Sequence, residues 1–430
     1  MAEFALAILA AVLIGYALIS KRLGTSSVTG PMLFVGAGLL LGPRGADAFQ
    51  LGVDSATVGF LLEVSLVIVL FGDAMAIDLR ALRQEALLPG RLLGIGLPLT
   101  ILAGTGFALL LFPELDLGSA VVLSTILAPT DAALGQAVVV NERIPRVVRQ
   151  GLSVESGLND GLAVPVLTVA LAAALAEAQE TDMAEGLLRV FLEEIGVGLL
   201  VGVAVGLVGG WLLMYMIRVG WIGDIWSKLS IPAFALLCFG LADPLGGSGF
   251  IAAFVGGAAM GAVVRRDLPD VDEFSEGIGY LLTLFSFLVF GAVMLGPLLD
   301  RINWEAVIYA VLALTLLRMI PVGVGVIGTG FSWPTVGFVG WFGPRGLASL
   351  VFAVTLVHDS GLGHSELILV VTTVTVGLSV FAHGASAWPL SDRYGAWYET
   401  AVSVWPAMKE AVHVEHMGVR RRLRQHGMGI

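Results

Sequence analysis

Gln150 to Pro165 reads QGLSVESGLNDGLAVP, and the reading of this stretch decides the fold. It has the apolar character of the start of a membrane-spanning helix, yet it carries Glu155, Asn159 and Asp160 where a lipid-facing helix carries leucine. An ionisable group at bilayer depth costs at least about 2.5–3.5 kcal/mol on insertion scales, so such groups face a cavity and mark ion or substrate paths. Helical spacing puts Ser156 and Asp160 on one face, with Glu155 and Asn159 on the adjoining one. A second buried acid precedes them in Ala128-Pro129-Thr130-Asp131, where proline must break an otherwise apolar helix. Two carboxylates, one beside interrupted backbone, are the makings of a cation site.

Composition agrees with a bilayer setting. The 430 residues are 57% hydrophobic and only 13% charged, with a mean hydropathy of +0.92; a soluble domain carries about 25% charged residues. The polar/apolar alternation of a membrane barrel is missing, so the expectation is an all-α polytopic membrane protein. A net charge of -11 does not point to a nucleic-acid partner. The single cysteine, Cys238, excludes an intrachain disulfide and a thiolate metal site, and reads as a small packing residue. The first apolar run begins MAEFALAILA with no basic stretch before it and Lys21-Arg22 after it, which predicts a retained first span and not a cleaved signal peptide.

Outward from the central stretch, apolar runs lie at about 2–20, 29–42, 57–78, 89–112, 118–140, 150–177, 187–217, 229–243, 248–264, 276–299, 304–328, 334–357 and 365–388. They predict about thirteen transmembrane helices followed by a polar tail from residue 389. Loops after odd-numbered spans hold twelve basic residues: Lys21, Arg22, Arg80, Arg83, Arg91, Arg143, Arg146, Arg149, Arg218, Lys228, Arg265 and Arg266. Loops after even-numbered spans hold Arg44, Arg189 and Arg301, and the acids Glu177, Glu180, Asp182 and Glu185 cluster after span six. The asymmetry predicts an N-terminus outside and a C-terminus inside, hence an odd number of spans. Gly198, Gly202, Gly206 and Gly210 recur every fourth position in span seven and predict close helix packing. The tail, with its basic run Arg420 to Arg424, reads as a solvated end attracted to anionic lipid.

Two spans are broken near their middles, at Pro129-Thr130-Asp131 and at Gly343-Pro344-Arg345-Gly346. Interrupted helices at corresponding places in two halves point to a midplane binding site between inverted repeats. Unwound backbone is tolerated at that depth only inside protein or beside a wet cavity. The free half-helix ends carry partial charges that Asp131 and Arg345 are placed to neutralise.

With these residues assembled, the chain resembles the monovalent cation:proton antiporters over about residues 1–390. The motifs are LFGDA at Leu70–Ala74, TDAAL at Thr130–Leu134, ESGLND at Glu155–Asp160 and GPRGLASL at Gly343–Leu350, in family order. The resemblance is to the branch with an Asn-Asp pair, which contains bacterial and archaeal sodium/proton antiporters and the animal sodium/proton exchangers. It implies a thirteen-helix inverted-repeat homodimer with an interface domain (1–78, and 183–301 including a linking helix), a moving core domain (79–182 and 302–389) and a short cytoplasmic tail (390–430). It further implies that Asp160 binds a cation or a proton in turn. Ser156 would offer a side-chain oxygen, Thr130 a backbone carbonyl, Asp131 a ligand direct or through water, and Asp73 an acid reaching the ion from the interface domain. Glu155 and Arg345 match a salt-bridged pair, Asn159 a structural amide, and Arg318 a basic residue of span eleven with no assigned role.

The remaining polar groups have plainer readings. Asp131 also suits the N-cap of a second half-helix. Glu63 reads as packing or interfacial, His358 and His364 as loop residues, and His383 as a satisfied packing residue. A sodium ion, being hard, suits carboxylate, hydroxyl and carbonyl oxygens, and needs no resident cofactor. Competition between Na+ (or Li+ or K+) and H+ at one acid gives antiport, and a lone acid beside Asn159 predicts electroneutral exchange. A cation channel lined by the same acids and a sodium-coupled symporter are the alternatives. Enzyme chemistry is not expected, since neither an HExxH signature nor a nucleophile–base pair is present.

Overall fold

The computed structural model describes residues 2–24, 26–48, 52–77, 87–178, 188, 190–264, 271–359 and 362–411. The predicted positions at Arg80, Arg83, Arg189, Arg265, Arg266, Glu180, Asp182, Glu185 and the basic run 420–424 lie outside them. Among the described residues all regular structure is helical. The helices are α1 Ala2–Leu23, α2 Gly30–Leu41, α3 Ala56–Met75, α4 Leu87–Leu111, α5 Leu117–Ile126, α6 Gln136–Val139, α7 Arg146–Ala178 and α8 Phe191–Arg218. They continue as α9 Asp224–Leu245, α10 Gly249–Val264, α11 Ser275–Arg301, α12 Trp304–Gly325, α13 Trp333–Trp341, α14 Leu347–Asp359 and α15 Ser365–Val404.

Eight of these, among the described residues, are long and apolar enough to cross a membrane, and α2, α5, α10 and α14 are shorter apolar helices. The protein is a multi-pass membrane protein. Helix starts follow their capping chemistry. The Asp116 side chain accepts from the Ser119 amide at 2.7 Å to open α5, and Asn303 accepts from Ala306 at 2.9 Å to open α12.

Polar pairs between loops define which helix ends share a side. Arg143, after α6, pairs with Asp392 and, at 3.0 Å, with Glu399 near the end of α15. On the opposite set of ends, Arg44 pairs with Asp300 and donates to the Gly296 carbonyl at 3.0 Å, while Arg301 pairs with Glu366. These are the groupings that odd and even span numbering predicts.

Span seven packs as its glycine repeat requires. A Cβ added at Gly202 would lie 2.6 Å from the Ala252 carbonyl oxygen, and one at Gly206 would lie 2.4 Å from that of Gly256, so α8 and α10 touch backbone to backbone. Cys238 of α9 is buried, and a Cβ on Gly256 would meet its sulfur at 2.5 Å, in keeping with a packing role. Gly206→Ala is therefore expected to destabilise the bundle by about 1–3 kcal/mol, as overpacking does. Thermal melting in detergent checks this against Gly240→Ala, where the added carbon meets nothing within 4 Å; equal melting of the two variants would refute it.

Three boundaries differ from the sequence reading. Helix α7 begins at Arg146, so the acidic motif sits mid-helix instead of in the opening turns. His358 belongs to the last turn of α14 and faces Gly59, not a loop. The expected polar tail from residue 389 is instead helix to Val404, with Pro389 inside it and Ser391, Tyr394 and Gly395 buried. Beyond it, Glu410 folds back to the start of α13, where its Oε1 accepts from the Ser332 amide at 2.8 Å and from the Ser332 and Thr335 hydroxyls at 2.6 Å each. Burial works against this charge, but those hydrogen bonds outweigh it and hold the Glu410 carboxyl below its ordinary value.

Candidate ion-binding site

The chain unwinds twice, and the two unwound segments meet. Helix α5 ends at Ile126, where Pro129 lacks the amide that a further turn would need, and α6 resumes at Gln136. Helix α13 ends at Trp341 and α14 resumes at Leu347. At the crossing the Asp131 amide donates to the Pro344 carbonyl at 2.8 Å. The Asp131 carboxylate serves both segments. Oδ1 accepts from the Ala133 and Leu134 amides at 2.8 and 3.0 Å, and Oδ2 accepts from the Leu347 amide at 2.9 Å. One side chain thus holds the turn that leads into α6 and the first amide of α14. A Cβ at Gly346 would lie 1.9 Å from Oδ2, so only glycine admits the contact.

Arg345 is fully buried and closes the other set of free groups. Its Nη1 donates to the Ala128 and Pro129 carbonyls at 2.5 and 3.0 Å, and the Ser349 hydroxyl donates to the Ile126 carbonyl at 2.7 Å. The C-terminal carbonyls of α5 are thereby satisfied by residues of the second break.

Helix α7 lays Ser156 and Asn159 against Thr130. The Asn159 amide donates from Nδ2 to Thr130 Oγ1 at 2.7 Å, and its Oδ1 accepts from the Thr130 amide at 3.2 Å. The Ser156 hydroxyl donates to the Thr130 carbonyl at 2.7 Å. Asp160, one turn beyond Ser156, is 8% exposed, and its Oδ1 is buried with no hydrogen-bond partner. Asp131, Asp73 and Arg345 are the charged groups whose fields reach it. Asp73 of α3 lies against α7, since a Cβ on Gly157 would meet its Cβ at 3.6 Å. Among the described residues no three His, Cys, Asp or Glu side chains gather as a metal cluster. One helical turn before Asp160, the Ser156 hydroxyl is bonded to the Thr130 carbonyl, and hydroxyl and carbonyl oxygens are the kind that hard cations take.

One pairing differs from the family expectation. Glu155 does not bridge directly to Arg345; its Oε1 lies 2.6 Å from Nη2 of Arg318, both side chains being almost wholly buried. The contact is a charge pair without an aligned N–H···O bond. Arg318 lies three residues past Thr315, where α12 is interrupted and whose hydroxyl donates to the Val311 carbonyl at 2.6 Å. A Cβ on Gly343 would meet Arg318 Nε at 2.4 Å, so the second break is also shaped around Arg318. Arg345 is instead committed to the carbonyls of the first break. Glu63 accepts from the Thr355 hydroxyl at 3.3 Å and joins α3 to α14, away from the crossing.

His383 is the satisfied packing residue expected from sequence, whereas Ser379 beside it on α15 was passed over. Ser379 Oγ accepts from the Arg345 amide at 2.7 Å, and His383 brackets it, with Nδ1 3.3 Å from Ser379 Oγ and Nε2 2.9 Å from the Trp341 carbonyl. The last carbonyl of α13 and an amide just before α14 are thus both satisfied from one turn of α15. The signal was the spacing of Ser379 and His383 by four in an apolar run.

Two unwound segments thus cross beside a buried unpartnered carboxylate, the arrangement in which interrupted helices line a midplane site. The sequence profile described as "Sodium/hydrogen exchanger, transmembrane" matches residues 8–392, and the chain belongs to that family. The K(+)/H(+) antiporter NhaP2 of Shewanella sp. (strain ANA-3) is 26% identical over 388 residues, covering 88% of this chain and 64% of that protein. The K(+)/H(+) antiporter NhaP of Alkalimonas amylolytica is 28% identical over 379 residues, covering 87% and 63%. The chain thus spans less than two thirds of the length of these relatives. The sodium proton antiporter MjNhaP1 from Methanocaldococcus jannaschii superposes with a TM-score of 0.69 at 21% identity, covering 89% of this chain and 99% of that one.

Proposed function

We propose that the chain exchanges a monovalent cation for a proton across the cell membrane, with both occupants using Asp160. The observation that carries this reading is the buried Asp160 Oδ1 with no donor from the protein. A carboxylate charge held without a partner is costly, and either a proton or a cation offsets that cost. The two exclude each other at one side chain. Exchange follows if the protein moves between its two faces only when the acid is occupied.

Ser156 Oγ and the Thr130 carbonyl would complete the cation shell, each keeping an unused lone pair beside the 2.7 Å hydrogen bond that joins them. Asp131 would act mainly as the shared cap that holds both breaks, adding its field and, through water, a ligand. Asp73 would contribute from α3. Asn159, Glu155, Arg318 and Arg345 would hold the geometry. No resident cofactor enters this scheme.

The relatives' names cite both K(+) and Na(+), and sodium is the cation of the structural neighbour; the reading here is Na+, with K+ or Li+ as the cations to set against it. Exchange is electroneutral, because Asn159 stands where a second titrating acid would be. The core domain (79–182 and 302–389) moves against the interface domain (1–78 and 183–301) of a homodimer, with the N-terminus outside and the C-terminus cytoplasmic.

Proteoliposomes test the reading. Proton movement should follow an imposed gradient of Na+, K+ or Li+ and should change little when the membrane potential is clamped. A cation current without proton coupling would replace it with a channel, and proton flux that demands an organic solute would replace it with a symporter.

A further inference from the structure

A cavity of about 320 Å³ lies between α13 and α15. Gly337, Phe338 and Trp341 line it from α13, and Arg393, Tyr394 and Trp397 line it from α15. Both sets follow the same helical spacing, so two stripes face each other across a gap. Its floor is aromatic, with Phe338 and Tyr394 stacked at 4.3 Å between ring centroids. Gly337 keeps it open, since a Cβ there would meet nothing within 4 Å.

The charge at the rim is uncommitted. Arg393 is exposed and has no ion pair among the described residues, although acids stand close by in sequence. Asp392 and Glu399 are taken by Arg143, and Glu410 is taken by Ser332 and Thr335. Depth agrees with chemistry. Arg393 lies 28 residues beyond Ser365 on α15, roughly 42 Å along the axis at 1.5 Å per residue, past a hydrocarbon layer of about 30 Å. The cavity therefore runs from Arg393, Tyr394 and Trp397 at headgroup level to Trp341, beside the second break.

We propose that this cavity seats an acyl chain of an anionic phospholipid from the adjoining leaflet, with the lipid phosphate on Arg393. A volume at the lower end of ligand pockets, about 300–1,000 Å³, takes part of one chain and not a whole lipid. The occupant would bear on Trp341, whose carbonyl is held by His383 at 2.9 Å and whose indole donates to Ser386 Oγ at 2.9 Å, where α13 ends at the second break.

The full chain, purified in detergent, is offered phosphatidylglycerol or phosphatidylcholine with the same acyl chains, and retained lipid is read by native mass spectrometry alongside melting temperature. Wild type should retain phosphatidylglycerol in preference and melt higher with it. Arg393→Gln should cut that retention about five-fold, the weight of one basic side chain at an anionic surface, and leave phosphatidylcholine unchanged. Gly337→Phe should bring both lipids to background; should it fail to fold, Arg393→Gln, at an exposed position, carries the test alone. Replacing Arg420, Arg421, Arg422 and Arg424 by glutamine should leave the preference intact. No preference in wild type, full retention by Arg393→Gln, or loss on neutralising the 420–424 run would each overturn the proposal. The readout is bound lipid, so it stands or fails separately from cation exchange.

Discussion

Asp160→Asn is expected to reduce cation-driven proton flux in proteoliposomes to the level of empty liposomes, while the protein inserts and melts no lower than wild type. The physical reason lies in the missing partner. Oδ1 of Asp160 is buried without a hydrogen-bond donor, so its charge opposes folding, a cost that the proposed cation or proton would offset. An amide of nearly the same shape removes the charge and leaves the packing. It can neither take up a proton at working pH nor neutralise a cation. Sites that hold such uncompensated groups trade stability for activity, so an unchanged or raised melting temperature accompanies the loss of flux. Persistent Na+-dependent proton movement in this variant would remove Asp160 from the exchange.

The second large effect concerns Glu155. Truncating one partner of a buried ion pair leaves the other charge uncompensated, at a cost of about 3–5 kcal/mol. Glu155→Ala should therefore melt far below wild type. The partner is identified by a cycle. Because Glu155 Oε1 lies 2.6 Å from Arg318 Nη2, Arg318→Met in the Glu155→Ala background should restore much of the lost stability. Arg345→Met should not, because that side chain holds the Ala128 and Pro129 carbonyls whatever becomes of Glu155. Recovery with Arg345→Met instead of Arg318→Met would return the bridge to the pairing expected from the family.

Much of the architecture was legible because a bilayer imposes a crude, length-based code. An apolar run must be helical to satisfy its backbone in lipid, and proline among polar residues must sit where protein or water replaces that satisfaction. Hence the runs, the odd and even grouping of loops and both breaks stand where hydropathy and Pro129 and Pro344 placed them. The end of α15 was misread for a related reason. Beyond residue 388 the polar composition signals only departure from lipid, and a helix continued by packing of Ser391, Tyr394 and Gly395 leaves no hydropathy trace.

Local sequence alone, through periodicity and interruption, determined a polytopic helical bundle with two broken spans and an acid-bearing helix between them. Which polar groups touch was decided only in three dimensions. Asp131 holds both the turn before α6 and the first amide of α14, more than two hundred positions apart in the chain. Arg318 takes Glu155 from a helix more than 150 positions away in the chain, and Ser379 and His383 reach the free ends of the second break from a helix that carries no motif. Hydropathy acts along the chain and leaves its mark in composition. Hydrogen bonds to unwound backbone act across it, and depend on distances of 2.5 to 3.3 Å that only the packed helices set.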